Sequence, residues 1–324
     1  MAVQHAPSQM IKGINSILIE ALMAQPSRPL LENAATFVPS NSDSEEYAWL
    51  GDVPAMTEFV DEVRFDVMTD EGGGASTDTA RRSYLRLTNK KFTIGIEIKR
   101  DNLADEKTGG LRQRINDMVA RGLDHVEKQL VDALTQGDVA GDPDLAGGYG
   151  YDGVVFFSAS HTARGAQTSS QSNLVSYSGS STANAQANIA SSVALLLNLV
   201  DEANEPLNRG LKDFYVIYPP ALHQPISEAV TAGIISNTSN VQFKGLNWTL
   251  INEPRLTSHS AAEYYVGVNP PGGVKALIYQ EREGVTAESL ETGDIAFRRE
   301  VYSYKARKRS MAGYGRWQRM ARVA

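Results

Sequence analysis

The chain has no cysteine in its 324 residues. Disulfides, thiolate metal sites and cysteine nucleophiles are therefore excluded, although this says little about compartment. Histidine is sparse as well. His5, His125, His161, His223 and His259 are scattered, and none forms H-x-x-x-H or H-E-x-x-H, so no zinc site is expected. Long apolar runs are missing: Val193 to Val200 is the longest and is too short to span a bilayer. The N-terminal stretch has no basic region ahead of an uninterrupted apolar segment, because Asn15, Ser16 and Glu20 break it. The expectation is a soluble protein, made and used without membrane insertion.

Catalytic signatures are also absent. There is no Walker A loop, no G-x-G-x-x-G after a strand and no G-x-S-x-G elbow. Gly72, Gly73 and Gly74 sit in a polar stretch that leads into no helix, so a flexible tip is favoured over a phosphate cradle. Asp138, Asp142 and Asp144 fail the EF-hand spacing and suit turns. His125 falls within a helical pattern with no carboxylate partner at local spacing, and a partly exposed surface residue is the favoured reading over a base. No catalytic, cofactor-binding or metal-binding residue is assigned, and the chain is not expected to be an enzyme.

Charge, by contrast, is segregated. From Arg298 to Arg322 there are nine Lys or Arg and one acid, Glu300, interleaved with Tyr302, Tyr304, Tyr314 and Trp317, on a chain of net charge -7. Such a segment needs a partner for its charge, either nucleic acid or an acidic stretch of a neighbouring copy. The chain supplies one: Ser42 to Glu62 carries Asp43, Glu45, Glu46, Asp52, Glu58, Asp61 and Glu62 with no Lys or Arg. In a strand, Tyr302 and Tyr304 share one face and Lys305 and Arg307 the other. The overall negative charge opposes phosphate binding, so subunit contact is favoured. The candidate contact residues are Asp43, Glu45, Glu46, Glu58, Asp61, Glu62, Gly72, Gly73, Gly74, Arg81, Arg82, Arg298, Arg299, Lys305, Arg307, Lys308 and Arg309.

Periodicity sets out the elements. Ile11, Ile14, Leu18 and Leu22 recur at helical spacing until Pro26 and Pro29. Residues 26–50 look like an extended arm that gains most by lying on a neighbour. Residues 57–100 look like a long hairpin with a glycine-rich tip, and Phe92, Ile94, Ile96 and Ile98 alternate strictly on the return strand. The clearest helix runs over 111–136, where Leu111, Ile115, Met118, Leu123, Val126, Leu130 and Leu134 make one stripe widened by Val119 and Val131. Its length of about 39 Å suits a spine. Residues 158–184 are Ser-, Thr- and Asn-rich and read as a weakly specified loop. A compact α/β region follows: a helix around SSVALLLNLV, strands at LKDFYVIYPP, NWTLINEP and AEYYVGV, and a short helix at ALHQPISEAVTAG. The segment from KALIYQERE to RMARV returns as long strands.

Several stretches together resemble the Mu-like prophage major head subunit family. They are YAWLGDVP at Tyr47–Pro54, NKKFTIGIEIKRDNLADEKTG at Asn89–Gly109, YDGVVFFSASH at Tyr151–His161, KALIYQERE at Lys275–Glu283 and RSMAGYGRWQ at Arg309–Gln318, in family order. The resemblance implies an α+β chain with the Hong Kong-97-type capsid fold. Carried over, 1–56 is the N-terminal arm, 57–100 the extended β-hairpin loop, 101–190 with 285–324 the peripheral domain bearing the spine helix, and 191–284 the axial α/β domain. It further implies a major capsid protein that self-assembles as pentamers and hexamers into an icosahedral shell around phage double-stranded DNA, without sequence-specific binding. Scaffold, portal and decoration proteins are the implied partners, with no membrane and no cofactor. The implied location is the virion capsid, and the host cytoplasm during assembly. The rivals are an encapsulin-like container of the same fold, a hydrolase that the motif search missed and a nucleic-acid-binding protein.

Overall fold

The computed structural model describes residues 28–47, 85–99, 110–140, 148–163, 167–201, 203–232, 234–235, 238–239, 245–290 and 298–324. In chain order these carry α1 (Pro29–Asn33), β1 (Ala35–Pro39), β2 (Ser44–Glu46), β3 (Arg86–Thr88), β4 (Lys90–Lys99) and α2 (Gly110–Thr135). Next come β5 (Leu174–Val175), α3 (Thr182–Asn198), β6 (Asp213–Tyr218) and α4 (His223–Thr231). Two short strands follow, β7 (Ile234–Ile235) and β8 (Thr238–Ser239). The chain then forms β9 (Asn247–Asn252), β10 (Tyr264–Val268), β11 (Leu277–Leu290), β12 (Val301–Tyr314) and β13 (Met320–Val323).

Two sheets organise the molecule. The first has the order β1-β11-β12-β4, with β1 parallel to β11 and the other pairs antiparallel. Its central strands are 14 residues long, which at 3.3–3.4 Å per residue is roughly 46 Å. On β12, Tyr302, Tyr304 and Ala306 turn inward and are buried, while Lys305 is exposed and Arg307 and Arg309 lie between. The inward residues pack with Ile98 of β4 against Met118, Val119 and Leu123 on the first half of α2. The second sheet has the order β5-β13-β10-β6-β9 and is backed by α3 and α4. The helix α3 begins at Ser181, whose side chain accepts from the Asn184 N–H, and buries Ala185, Ile189, Val193 and Leu196 at helical spacing.

The spine helix bridges the two cores. Its second half, from Val126 to Leu134, enters the main core with Phe156, Phe157, Tyr265 and Tyr314. The last carbonyls of a helix have no partner inside it. Here the Tyr314 hydroxyl donates to the Ala133 carbonyl at 3.1 Å and the Tyr265 hydroxyl to that of Leu134 at 3.2 Å. Phe156 stacks on Tyr314 with ring centroids 4.8 Å apart. The YDGVVFF stretch is therefore core, set against the end of the spine.

Three expectations come out differently. Residues 28–47 lie on their own chain, because Leu30, Ala34, Ala35 and Tyr47 are buried in its core and β1 fills the open edge of β11. The described parts of 158–184 are tightly specified by side-chain amides. Asn173 is fully buried; its amide donates to the Phe156 carbonyl at 2.8 Å, and its oxygen accepts from the Ser158 N–H at 2.9 Å. Gln171 in turn accepts from the Val200 N–H at 2.8 Å and donates to the Val200 carbonyl at 3.1 Å. Third, the C-terminal strand β13 and the short β5 complete the α/β sheet rather than the long one.

Candidate subunit-contact surface

The outward face of the long sheet carries most of the described charged candidates. Lys305 Nζ lies 2.7 Å from Glu288 on the neighbouring strand. Arg307 donates to Glu283 from Nε at 3.0 Å and from Nη2 at 2.6 Å, and its Nε lies 3.6 Å from Glu288. Arg309 and Arg282 converge on one exposed carboxylate, Asp43. Arg299 Nη2 lies 3.5 Å from Glu97 on β4. These pairs follow from the register, which sets Glu288 beside Lys305 and Ser303 beside Glu97. The hydrogen bond and charge of Arg309, with Arg282, hold the Asp43 carboxyl below its ordinary range, and Lys305 does the same for Glu288.

The basic strand is thus matched largely inside one chain, with the acids coming from β4, β11 and the turn before β2. Lys308 departs furthest from the expected pattern. It has the same parity as Tyr304 and Ala306, so it points inward; it is 4% exposed, lies 3.3 Å from Glu281, and sits 5.0 Å over the Tyr279 ring. Burial lowers its ammonium from the ordinary lysine range. Lys308 therefore offers no charge to a neighbour.

Among the acidic candidates, Glu45 closes a local turn. Its carboxylate accepts from the Ser40 hydroxyl at 2.8 Å and from the N–H groups of Asn41 and Ser42 at 3.1 and 3.2 Å, which hold it below the usual range. Glu46 lies 4.0 Å from Arg86 across the β2–β3 pair, both half exposed. Arg298 stands exposed beside Arg299 at the entry to β12. Glu58, Asp61, Glu62, Gly72, Gly73, Gly74, Arg81 and Arg82 lie outside the described residues.

Two buried polar arrangements had escaped the motif search. His161 Nδ1 is 2.6 Å from Asp152, its Nε2 is 3.3 Å from the Asn173 side-chain oxygen, and its ring stacks on Trp317 at 3.7 Å. Both ring nitrogens are engaged and the ring is buried, so the pair fastens the 151–161 segment to the chain's end and has no nitrogen left for a substrate. The Asp-to-His spacing within one loop was the available signal. The second arrangement surrounds Glu127 on α2, with Glu253 and Arg255 from the 3-10 turn Pro254–Ser258 and Arg28 ahead of α1. His125, by contrast, is half buried and tilts against Phe92 at 4.3 Å, and burial pushes its imidazole down. No group of three or more His, Asp or Glu able to hold a metal occurs among the described residues, and none of their helices is long and apolar enough to cross a membrane.

With this geometry in place, the comparisons with known proteins are informative. The family model described as Mu-like prophage major head subunit gpT matches residues 8–186 and 257–324. A curated relative, the Mu-like prophage FluMu major head subunit of Haemophilus influenzae, is 30% identical over 128 residues, 39% of this chain. The matched stretch spans about a third (35%) of that relative's length. Among solved structures, the procapsid of bacteriophage JBD30 is similar with a TM-score of 0.51 at 20% identity, over 99% of this chain and 76% of that one. The capsid of Cyanophage P-SCSP1u is similar with a TM-score of 0.55 at 10% identity, over 90% and 86% of the two chains. At such identities the likeness is one of fold.

Proposed function

The chain belongs to the Mu-like prophage major head subunit family, and we propose that it is a major capsid protein whose copies close into an icosahedral phage head. The observation that carries this reading is the family match, which takes in the spine helix, strand β4 and both long strands near the C-terminus. The two-sheet architecture bridged by one long helix supports it, since capsid proteins share that fold. The subunit does no chemistry in this reading; its work is adaptable contact.

The proposed division is an arm over 1–56, an extended loop over 57–100, a peripheral domain over 101–190 with 285–324, and an axial domain over 191–284. The topology favours one refinement, which is to count β13 and β5 with the axial sheet that they complete. Pentamers and hexamers form the shell, with scaffold, portal and decoration proteins as partners and double-stranded DNA enclosed without sequence reading. Assembly in the host cytoplasm precedes residence in the virion. The exposed candidates Asp43, Glu46, Arg298, Arg299 and Lys305, with the half-buried Arg307 and Arg309, meet a neighbour by exchanging partners that they already hold or by adding to them. Buried area does most of the holding.

Electron microscopy of the purified protein at moderate salt, with an absorbance ratio for nucleic acid, tests this. Closed shells or rings of five and six support the proposal. Shells filled with enzyme move it to an encapsulin-like container, and a monomer or dimer under every salt and scaffold condition overturns it.

A further inference from the structure

Glu127 projects from the middle of α2 into the place where α1 and the 3-10 turn Pro254–Ser258 pack against the spine. It is 7% exposed, no side chain hydrogen-bonds either carboxyl oxygen, and the Leu31 N–H of α1 is the one donor that approaches them. Two cations are near, and one of them is committed. Arg255 is bound by Asp124 on the same helix and lies 3.5 Å from Glu253, while Arg28 approaches from α1. The other facing charge, Glu253, is itself an acid and nearly buried. An ionised carboxylate in such a place is a buried charge without a paired partner, which proteins relieve by protonation or by admitting water.

The element that can yield is α1. It is five residues long, begins with a proline that has no N–H to give, and has no side-chain cap. The 3-10 turn is tied by polar contacts as well as by burial, since the Glu253 N–H donates to the Tyr218 carbonyl at 2.9 Å and Arg255 clasps Asp124, whereas α1 leans on its buried Leu30 and Ala34.

We propose that Glu127 is a proton-controlled seat for the N-terminal segment: with its carboxyl neutral, residues 28–34 stay packed on the spine, and its ionisation loosens them. Burial pushes this carboxyl up to about 7; Glu253 adds to the rise, while the Leu31 N–H, Arg255 and Arg28 oppose it. The docked state holds the proton more tightly than an opened state in which water reaches the group. Opening therefore becomes easier as pH climbs from the ordinary carboxylate range through about 7. The device is independent of whether the copies form a shell.

Amide hydrogen exchange of the full chain tests it, reading peptides over 28–40 between about pH 5.5 and 8.5 after correction for intrinsic exchange. The opening constant of α1 should rise about 10- to 30-fold across that range, while β6 and β10 stay better protected than α1 at every pH. Glu127→Gln should reduce the rise to under about threefold, and Glu127→Met, apolar and of similar length, should do the same if the glutamine variant folds poorly. A flat wild-type profile, or variants that keep the full rise, would overturn the proposal.

Discussion

Lys308 gives the sharpest test of how the basic strand is used. Replacing it with Met keeps most of the aliphatic stem against Tyr279 and removes the charge that faces Glu281 at 3.3 Å. Breaking a buried pair from one side costs about 3–5 kcal/mol, because the other charge stays behind uncompensated. The Glu281 side chain is 19% exposed, so water offsets part of this, and about 2–3 kcal/mol is expected for Lys308→Met. Adding Glu281→Gln removes the stranded charge and should recover about 1–2 kcal/mol of that loss, a coupling that a double-mutant cycle isolates. Urea unfolding followed by tryptophan fluorescence measures all four corners, at low and high salt. A buried pair should keep its coupling at about 1 M salt, where the screening length is only about 3 Å. A single variant within about 0.5 kcal/mol of wild type, or a coupling that vanishes in salt, would show that Lys308 faces water and that its inward placement is wrong.

Other outcomes follow from the same packing. Gly267→Ala would set a Cβ 2.2 Å from the fully buried Tyr215 ring directly opposite on β6; a loss of about 3 kcal/mol or more, or insoluble expression, is expected, and a near-native melting temperature would refute it. His161→Ala removes the stack on Trp317 and leaves the Asp152 carboxylate without its partner. It should cost about 3 kcal/mol and shift tryptophan emission to the red, and unchanged emission would count against the stack. Global stability should fall as pH rises from the carboxylate range to about 7, because burial raises Glu127 in the folded chain and the unfolded chain holds its proton less tightly. Glu127→Gln should remove about 2–3 kcal/mol of that slope between about pH 4.5 and 8, and an undiminished slope in urea melts at several pH values would refute it.

Much of this fold was legible along the chain because the signals were local. The stripe from Leu111 to Leu134 marks the spine to within a residue or two of its bounds, and the alternation of Phe92, Ile94, Ile96 and Ile98 marks β4. The two-residue period also placed Tyr302 and Tyr304 opposite Lys305 and Arg307. The same parity turns Lys308 inward, but counting charge along the segment hid it. What stayed hidden depends on distant partners. Nothing near Ala35–Pro39 announces that it will pair in parallel with Leu277–Glu281, so along the sequence an apolar strand reads as an arm awaiting a neighbour. The Asp152–His161 pair likewise needs Trp317 and Asn173 to become a buried fastening. Charge patterns revealed which residues seek partners, but not that Asp43, Glu283 and Glu288 of the same chain would satisfy most of them.

That matching has a consequence for association. If Lys305, Arg307 and Arg309 met their acids only on another copy, forming a contact would create new ion pairs, and salt would weaken it steeply. In this chain they already hold Glu288, Glu283 and Asp43. A contact through the same residues then exchanges one exposed pair for another and gains little charge energy. Subunit association driven by buried area should accordingly change by less than about tenfold between about 0.1 and 0.5 M sodium chloride, as followed by light scattering. A drop of about a hundredfold or more would mean that the pairs seen within one chain are released on association, so that the acidic and basic stretches find each other between copies after all.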